Sequence, residues 1–237
     1  VAETYDGVLN DINGMHVKTE HLFAAIEQAS SGQIAEGCVG GGTGMNCYGF
    51  KAGSGTASRR VEVAGERYTV GVLVQANHGD REELTIAGVP VGRELADIPG
   101  LSDAIAIPPG AGSIIVIVAT DAPLLPHQLK RLARRVPMGL SRTGTVGGHY
   151  SGDIFLAFST ANPSAARRQG LQEIKMLAND ELDPFFAAVA YAVEEAVINA
   201  LVAARTMTGI NGRTMHAIPH ERLLEILKQH HGTTLKG

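Results

Sequence analysis

The sequence predicts an α/β protein in which helices alternate with buried strands in a layered core. Three stretches support this prediction. Residues 113–120 (SIIVIVAT) form an unbroken, mostly β-branched apolar run, typical of a strand buried on both faces. Residues 61–75 predict a β-hairpin that turns at Ala64-Gly65. A long helical pattern begins at Asp183-Pro184 and is apolar over much of its circumference, so we expect it to pack centrally.

The N-terminal part is predicted to contain loops and one short helix. Residues 1–17 are rich in turn-forming residues and predict a loop. Thr19 is a good N-cap for a helix that runs to about Ala29. The apolar face of this helix is formed by Leu22, Phe23 and Ile26. A glycine-rich tract follows over residues 37–55.

Residues 80–112 are predicted to be mostly exposed loop, with a short strand from Leu84 to Ile86. The prolines in this stretch make it the best candidate for a linker; they are Pro90, Pro99, Pro108 and Pro109.

Beyond residue 120 the pattern returns to regular elements. A helical stripe is predicted from Leu125, Leu129, Leu132 and Val136. A glycine-rich turn from Met138 to Gly152 should then lead into a second buried strand at residues 153–159. The long helix after Asp183 is expected to end at Gly209, and a last amphipathic helix runs from Glu221 to His230.

Composition excludes several classes of protein. Hydrophobic residues make up 44% and charged residues 19% of the 237 residues, which is typical of a globular protein. A net charge of −4 gives no reason to expect a nucleic-acid partner. No stretch reaches the roughly 18 apolar residues of a membrane span, so no membrane association is expected. The two cysteines, Cys38 and Cys47, are predicted to be free thiols.

The N-terminus bears on localisation. Val1 is not an initiator methionine, so we expect it to lie partway along a longer chain. No secretory signal pattern is visible, which favours a cytoplasmic over a periplasmic location.

Ser113 is the strongest candidate nucleophile. It stands between the Pro/Gly-rich loop at residues 108–112 and the rigid apolar strand. Such a position suits a nucleophile that is liberated by cutting its own preceding peptide bond. The cut would give Ser113 a free α-amine, whose ordinary pKa of about 8 makes it a plausible base for the hydroxyl. Taken alone, the stretch favours the simpler interpretation of a loop that enters a core strand.

The run Gly-Ser-Ile-Ile-Val-Ile-Val-Ala-Thr-Asp-Ala-Pro-Leu from Gly112 resembles the start of the β subunit in a known family. That family contains L-aminopeptidase D-amidases/D-esterases and β-peptidyl aminopeptidases, which are self-cleaving N-terminal-nucleophile hydrolases. The resemblance implies one domain over 1–237, cut at Gly112-Ser113 into the C-terminal part of an α subunit (1–112) and a β subunit (113–237). It also implies an α-β-β-α sandwich with distinct connectivity. The N-terminal portion of the family's α subunit has no counterpart in this sequence.

The resemblance also implies a set of site residues. Tyr5 and Asn77 would donate hydrogen bonds to the oxyanion, and Ser151 would hydrogen-bond near the nucleophile. Asp153 would orient or charge-pair with an ammonium, although some relatives carry Glu there. Without the resemblance, Tyr5 is a half-buried aromatic residue, Asn77 a turn residue, and residues 151–153 an Asx-type turn.

The glycine tract has two interpretations. By resemblance, its residues Gly42, Thr43, Gly44 and Met45 line the pocket. Alternatively, residues 40–44 could form a phosphate-binding loop, but no Lys-Ser/Thr pair follows and the tract does not open a helix after a clean strand. The histidines show no metal-ligand spacing, so we predict neither a metal nor a cofactor.

The sequence therefore predicts a serine aminopeptidase or amidase that releases N-terminal residues from short peptides, amides or esters. Its expected partners are the small substrate, the two fragments of one precursor and further copies in a homo-oligomer. One alternative is a self-cleaving acyltransferase of the ornithine acetyltransferase type, which a Thr at position 113 would have favoured. Another, from a different class, is a nucleotide- or phosphate-binding module.

Overall fold

A computed structural model describes residues 4–100 and 110–232 and confirms the α/β fold class. Its strands are β1 (Asn46–Cys47), β2 (Phe50–Lys51), β3 (Ser54–Val63), β4 (Glu66–Asn77), β5 (Ser113–Thr120), β6 (Ile154–Ser159), β7 (Met207–Thr208) and β8 (Thr214–Met215). Its α-helices are α1 (Thr19–Glu27), α2 (Val91–Glu94), α3 (Pro126–Ala133), α4 (Val136–Arg142), α5 (Asp183–Val202) and α6 (His220–His231). The predicted helices near Thr19, after Asp183 and at the C-terminal end are thereby confirmed.

A four-stranded sheet in the order β3-β4-β5-β6 forms the frame. The first two strand pairs are antiparallel, and β5 and β6 are parallel. In the β4–β5 pair, Asn77 at the end of β4 lies opposite Ser113 at the start of β5. Since β6 runs parallel to β5, the loop before β6 reaches the same sheet edge as Ser113, and Gly112 forms a parallel bridge with Ser151.

The hairpin turns where the sequence predicts. Ala64 and Gly65 have φ of 52° and 78°, and this pair of positive values is typical of a two-residue turn that matches strand twist. Strand β3 begins at Ser54, inside the predicted glycine-rich tract, and packs closely on α5 at Gly55. A Cβ at Gly55 would lie 2.0 Å from the Ala196 carbonyl oxygen.

Helix α5 is the centre of the core, as predicted. It packs on β3, β4 and α4, and residues such as Phe185, Val193 and Leu201 are fully buried. The helix ends at Val202 rather than at Gly209, since the chain turns there toward β7. Contrary to the sequence prediction, residues 179–202 are long and apolar enough to cross a membrane, but this stretch contains the core helix of the fold.

The prediction that residues 113–120 are buried on both faces is wrong. Burial alternates along β5: Ile114, Val116 and Val118 are fully buried, whereas the intervening residues are half-buried. Strand β6 lies at the sheet edge and leaves Ile154, Leu156 and Phe158 exposed. Helix α5 packs on α3 and α4 and on strands β3 and β4. The half-buried residues of β5 pair with the exposed residues of β6, so the described residues leave this face of the sheet partly open. Of the two sheets in the expected sandwich, residues 4–100 and 110–232 form one large sheet.

The prediction that residues 80–112 are mostly exposed loop is wrong for the described part. Within residues 80–100, Leu84, Val91 and Leu95 are fully buried, and a bridge between Ile86 and Val89 replaces the predicted short strand. These apolar residues join the main core despite the nearby prolines. The remainder of that predicted loop, residues 101–109 with Pro108 and Pro109, lies outside the described residues.

The predicted turn from Met138 to Gly152 begins with a helix. The stripe from Leu125 to Val136 is divided between α3 and α4, because Pro137 lacks an amide hydrogen and so favours the start of a new helix. Helix α4 then packs on α5 through Gly139, where a Cβ would lie 2.5 Å from the Ala190 carbonyl oxygen.

Candidate active site

Ser113 is held at the edge where β4 ends, β5 begins and the loop before β6 arrives. The side chain is half-buried, and its Oγ accepts a hydrogen bond from the Gly152 amide at 3.0 Å. A Cβ at Gly152 would lie only 3.2 Å from that Oγ, so the backbone approaches the hydroxyl closely. The hydroxyl is thus held by a main-chain amide at the end of the sheet where β5 begins.

Gly112 has a conformation and a packing that favour glycine. Its φ is 136°, which L side chains rarely adopt. A Cβ at this position would lie 2.5 Å from the Asn77 carbonyl oxygen and 3.0 Å from the His78 Cα. The Gly112-Ser113 peptide therefore lies against the end of β4 on one side and bridges Ser151 on the other.

Ser151 and Asp153 lie beside Ser113. The Ser151 hydroxyl donates to Asp153 Oδ1 at 2.5 Å, and the same oxygen accepts from the Ile114 amide at 3.2 Å. Since Ile114 directly follows Ser113, the carboxylate is fixed to the residue next to Ser113. The structure thus brings the two predicted residues to Ser113, and their chemical roles stay predictions.

Asn77 is 6% exposed, and its hydrogen bonds fix the orientation of its amide. Oδ1 accepts from the amide of Asn46 at 3.1 Å and from Asn46 Nδ2 at 3.2 Å. Nδ2 donates to the Tyr5 carbonyl oxygen at 3.0 Å. A backbone amide can donate only to the oxygen, so Nδ2 must face Tyr5. Within the described residues one acceptor is seen for Nδ2, the Tyr5 carbonyl oxygen. Donation to an oxyanion by the second Nδ2 hydrogen stays a prediction.

Tyr5 reaches the site through its main chain. Its carbonyl contacts Asn77, whereas its side chain is 60% exposed and lies over Gly7. A Cβ at Gly7 would be 2.5 Å from the phenolic oxygen. The predicted role of the Tyr5 hydroxyl as an oxyanion donor stays a prediction, since only its main chain contacts Asn77.

The predicted pocket-lining residues belong to a tightly packed segment. A Cβ at Gly42 would lie 2.4 Å from the Ser54 amide nitrogen, and one at Gly44 would lie 2.6 Å from Asn10 Nδ2. Met45 is buried, and Thr43 Oγ1 donates to the Gly40 carbonyl at 2.8 Å. The segment leads directly to Asn46, the partner of Asn77, so it supports the site; whether it also lines the pocket stays a prediction.

Lys51 holds this segment together; family resemblance places Gly49-Phe50-Lys51 near the pocket, but the contacts of the ammonium group were not predicted. It is fully buried, and its Nζ donates to the carbonyl oxygens of Gly42 at 3.2 Å, Met45 at 2.8 Å and Ala52 at 2.6 Å. Burial lowers the pKa of Lys51. Apart from that resemblance, the sequence signal is a single lysine among small and apolar residues at 49–53.

The contacts of Lys51 also decide against a phosphate-binding loop. Such a loop turns several amides toward an anion, whereas this one turns two carbonyls toward an ammonium group. Its own amides are engaged internally: Gly42 donates to Val39 at 2.8 Å, and Thr43 donates to Gly40 at 3.1 Å.

A neutral thiol–imidazole pair underlies the site. Cys47 Sγ lies 3.5 Å from His78 Nδ1. Burial raises the pKa of Cys47 to about 12 and lowers the pKa of His78 to about 4, an effect that the negative charge of Asp153 partly opposes. Both groups are therefore uncharged at neutral pH. Cys38 and Cys47 are free, as predicted.

Comparison with known proteins gives one family match and several close relatives. The model for peptidase family S58 matches residues 1–215. The β-peptidyl aminopeptidase BapA of Sphingosinicella microcystinivorans is 55% identical over 240 residues, which cover 97% of this chain and 61% of that protein. BapA of Sphingosinicella xenopeptidilytica is 46% identical, with 96% and 59% covered. The chain thus spans about three-fifths of the length of the curated relatives that it matches.

Solved structures agree with the sequence matches. The L-aminopeptidase D-Ala-esterase/amidase of Ochrobactrum anthropi superposes with a TM-score of 0.88 at 50% identity, covering 96% of this chain and 61% of that one. It is described as a prototype of the serine aminopeptidases and a new variant of the Ntn hydrolase fold. At this identity and similarity, the chain shares that α/β fold over the matched region.

Proposed function

Because the chain belongs to peptidase family S58, we propose that it carries the active site of a self-cleaving serine aminopeptidase or amidase. The observation that carries the proposal is the position of Ser113. It is the first residue of β5, its hydroxyl is held by the Gly152 amide, and it follows a glycine in a conformation and a contact that disfavour any side chain.

Self-cleavage is the first reaction of this site. Ser113 Oγ attacks the carbonyl carbon of Gly112 and loses its proton. The Gly112–Ser113 C–N bond breaks, the Ser113 nitrogen takes up a proton, and an ester joins the two residues. Water then hydrolyses the ester, which leaves a carboxylate on Gly112 and a free hydroxyl and α-amine on Ser113. Within this sequence, the cut separates residues 1–112 from residues 113–237.

The free N-terminal serine then hydrolyses substrates. Its α-amine takes the Oγ proton as Oγ attacks the substrate carbonyl, and returns a proton to the leaving amine or alcohol. Asn77 Nδ2 and the Tyr5 hydroxyl donate to the oxyanion. Asp153, held by Ser151 and the Ile114 amide, orients or pairs with an ammonium group. Water releases the acyl group from Ser113.

The proposed substrates are short peptides, amino-acid amides and esters with a free N-terminal amine. The relatives' names support this class: they include β-peptidyl aminopeptidases and an L-aminopeptidase D-Ala-esterase/amidase. The two fragments of one precursor would remain associated, because β5 of the second fragment pairs with β4 of the first. Assembly into a homo-oligomer and action without a cofactor complete the proposal.

The full-length protein tests this function with p-nitroanilides of L-alanine, D-alanine and β-alanine. Processed wild-type protein should hydrolyse at least one of the three, and Ser113→Ala protein should hydrolyse none. Equal rates for the two proteins would place the activity elsewhere. If neither protein hydrolysed any of the three, the proposed substrate class would be wrong.

A further inference from the structure

The segment before Ser113 continues the line of β5 past the edge of the sheet. Asn77 pairs with Ser113, so the same antiparallel register places His78 opposite Gly112 and Asp80 opposite Gly110. Gly112 follows this register closely, since a Cβ on it would lie 3.0 Å from the His78 Cα. Residues 110–112 therefore lie along the main chain that follows β4.

The Asp80 side chain forms a hydrogen bond with the first residue of this 110–112 segment. Its Oδ2 accepts a hydrogen bond from the Gly110 amide at 3.0 Å. The Asp80 amide donates to Glu83 Oε2 at 3.1 Å, so a separate contact holds the Asp80 main chain. On its other side Gly110 meets Gly148, since a Cβ on Gly110 would lie 3.2 Å from the Gly148 Cα. Gly110 is thus fixed two residues before the Gly112-Ser113 peptide.

We propose that Asp80 is a positioning residue for self-cleavage and takes no part in the hydrolysis that follows. The inference rests on the proposed cut at Gly112-Ser113. Before the cut, the Asp80 bond restricts the segment that presents the Gly112 carbonyl to Ser113 Oγ. After the cut, this segment is no longer joined to Ser113 and must make room for substrate. One exposed hydrogen bond is weak enough to allow that departure.

The test separates the rate of processing from the rate of hydrolysis. Full-length protein is made by cell-free synthesis, and samples taken over time are resolved by gel electrophoresis and mass spectrometry. Asp80→Ala removes the acceptor and should slow processing about tenfold. Asp80→Asn keeps an acceptor oxygen and should process within about threefold of wild type. Once fully processed, both variants should match the wild-type kcat/KM, a split that a general structural defect would not produce.

Asp121→Ala is the matched control. Asp121 Oδ1 accepts a hydrogen bond from the Thr69 amide at 2.7 Å, a bond of the same type at the opposite end of the β4–β5 pair. This variant should process at the wild-type rate. The proposal is overturned if Asp80→Ala processes like wild type, if its hydrolysis falls as far as its processing, or if Asp80→Asn is slowed as much as Asp80→Ala. It is also overturned if Asp121→Ala slows processing equally. Wild-type protein that stays uncut would instead refute the proposed self-cleavage.

Discussion

Replacing Gly112 by alanine should slow self-cleavage about a hundredfold. The backbone at Gly112 has φ of 136°, and forcing a side chain into such a conformation costs about 1–3 kcal/mol. The new Cβ would lie 2.5 Å from the Asn77 carbonyl oxygen, so the scissile peptide or the end of β4 must move by roughly 0.5 Å or more. Displacements of this order at reacting atoms cost up to about 10²-fold in rate.

The assay is a time course of cleavage during cell-free synthesis of full-length protein. Gly65→Ala is the control: Gly65 has φ of 78° in the β3–β4 turn, and a Cβ there would meet nothing within 4 Å. It shares the backbone strain without touching the scissile peptide, so its cleavage should be unchanged. Cleavage of Gly112→Ala at the wild-type rate would refute the argument that close packing on β4 aligns this peptide.

Three further predictions concern the residues around Ser113. Asn77→Ala should lower kcat about 10²- to 10³-fold, because the proposed oxyanion donor is removed. It should also lower Tm, because the Asn46 amide and the Tyr5 carbonyl lose their hydrogen-bond partner. A decrease in kcat of less than about tenfold would make Asn77 a structural residue only. Asp153→Asn should move the acidic limb of the pH–rate profile of pre-processed enzyme to lower pH, because a nearby carboxylate favours the protonated α-amine; an unmoved limb would exclude that pairing. The pKa of His78 is about 4 in the folded state, below its ordinary value, so its contribution to stability is complete above pH 6.5 and is lost as pH falls toward 4. The free energy of unfolding of uncut Ser113→Ala protein, measured in urea, should therefore be about 2 kcal/mol lower at pH 5 than at pH 7 because of this group. His78→Gln in the same background should remove this decrease. The same pH dependence in both proteins would contradict the prediction.

Helix α5 and the β3–β4 hairpin could be predicted because their signals lie in neighbouring residues of the sequence. Helix α5 follows from its apolar circumference and its Asp183-Pro184 start, and the hairpin follows from two strands around Ala64-Gly65. The exposure of β5 does not follow from its sequence. A run of Ile and Val has the same pattern whether its second face is covered or open, and only the tertiary structure shows the open face.

Residues 80–100 show the opposite error. Prolines and glycines suggested an exposed loop, yet Leu84, Val91 and Leu95 are buried in the core. Apolar residues in a stretch without helical or strand periodicity give no local signal that they are buried. Irregular backbone can nevertheless bury side chains when its amide and carbonyl groups are hydrogen-bonded. Arg81 provides such pairing by donating to the carbonyl oxygens of Leu95 at 2.9 Å and Ile98 at 3.1 Å.

The candidate site divides in a similar way. Ser113 was predicted from its position between a flexible loop and a rigid strand together with family resemblance, and Ser151 and Asp153 from family resemblance alone. The supporting contacts of Asn46, Lys51 and Asp80 were missed. Each of these contacts involves a main-chain amide or carbonyl whose direction is set by the tertiary structure. Residue types alone do not show where such groups point.

By self-cleavage, Ser113 is expected to become both an N-terminus and the nucleophile. The most direct measurement is N-terminal sequencing and intact mass of full-length wild-type and Ser113→Ala protein, combined with an assay of amide hydrolysis on the same samples. Wild type should be active and yield a second polypeptide that begins Ser113-Ile114-Ile115, whereas Ser113→Ala should remain one inactive chain. An uncut Ser113→Ala protein that hydrolyses the amide at the wild-type rate would contradict the account.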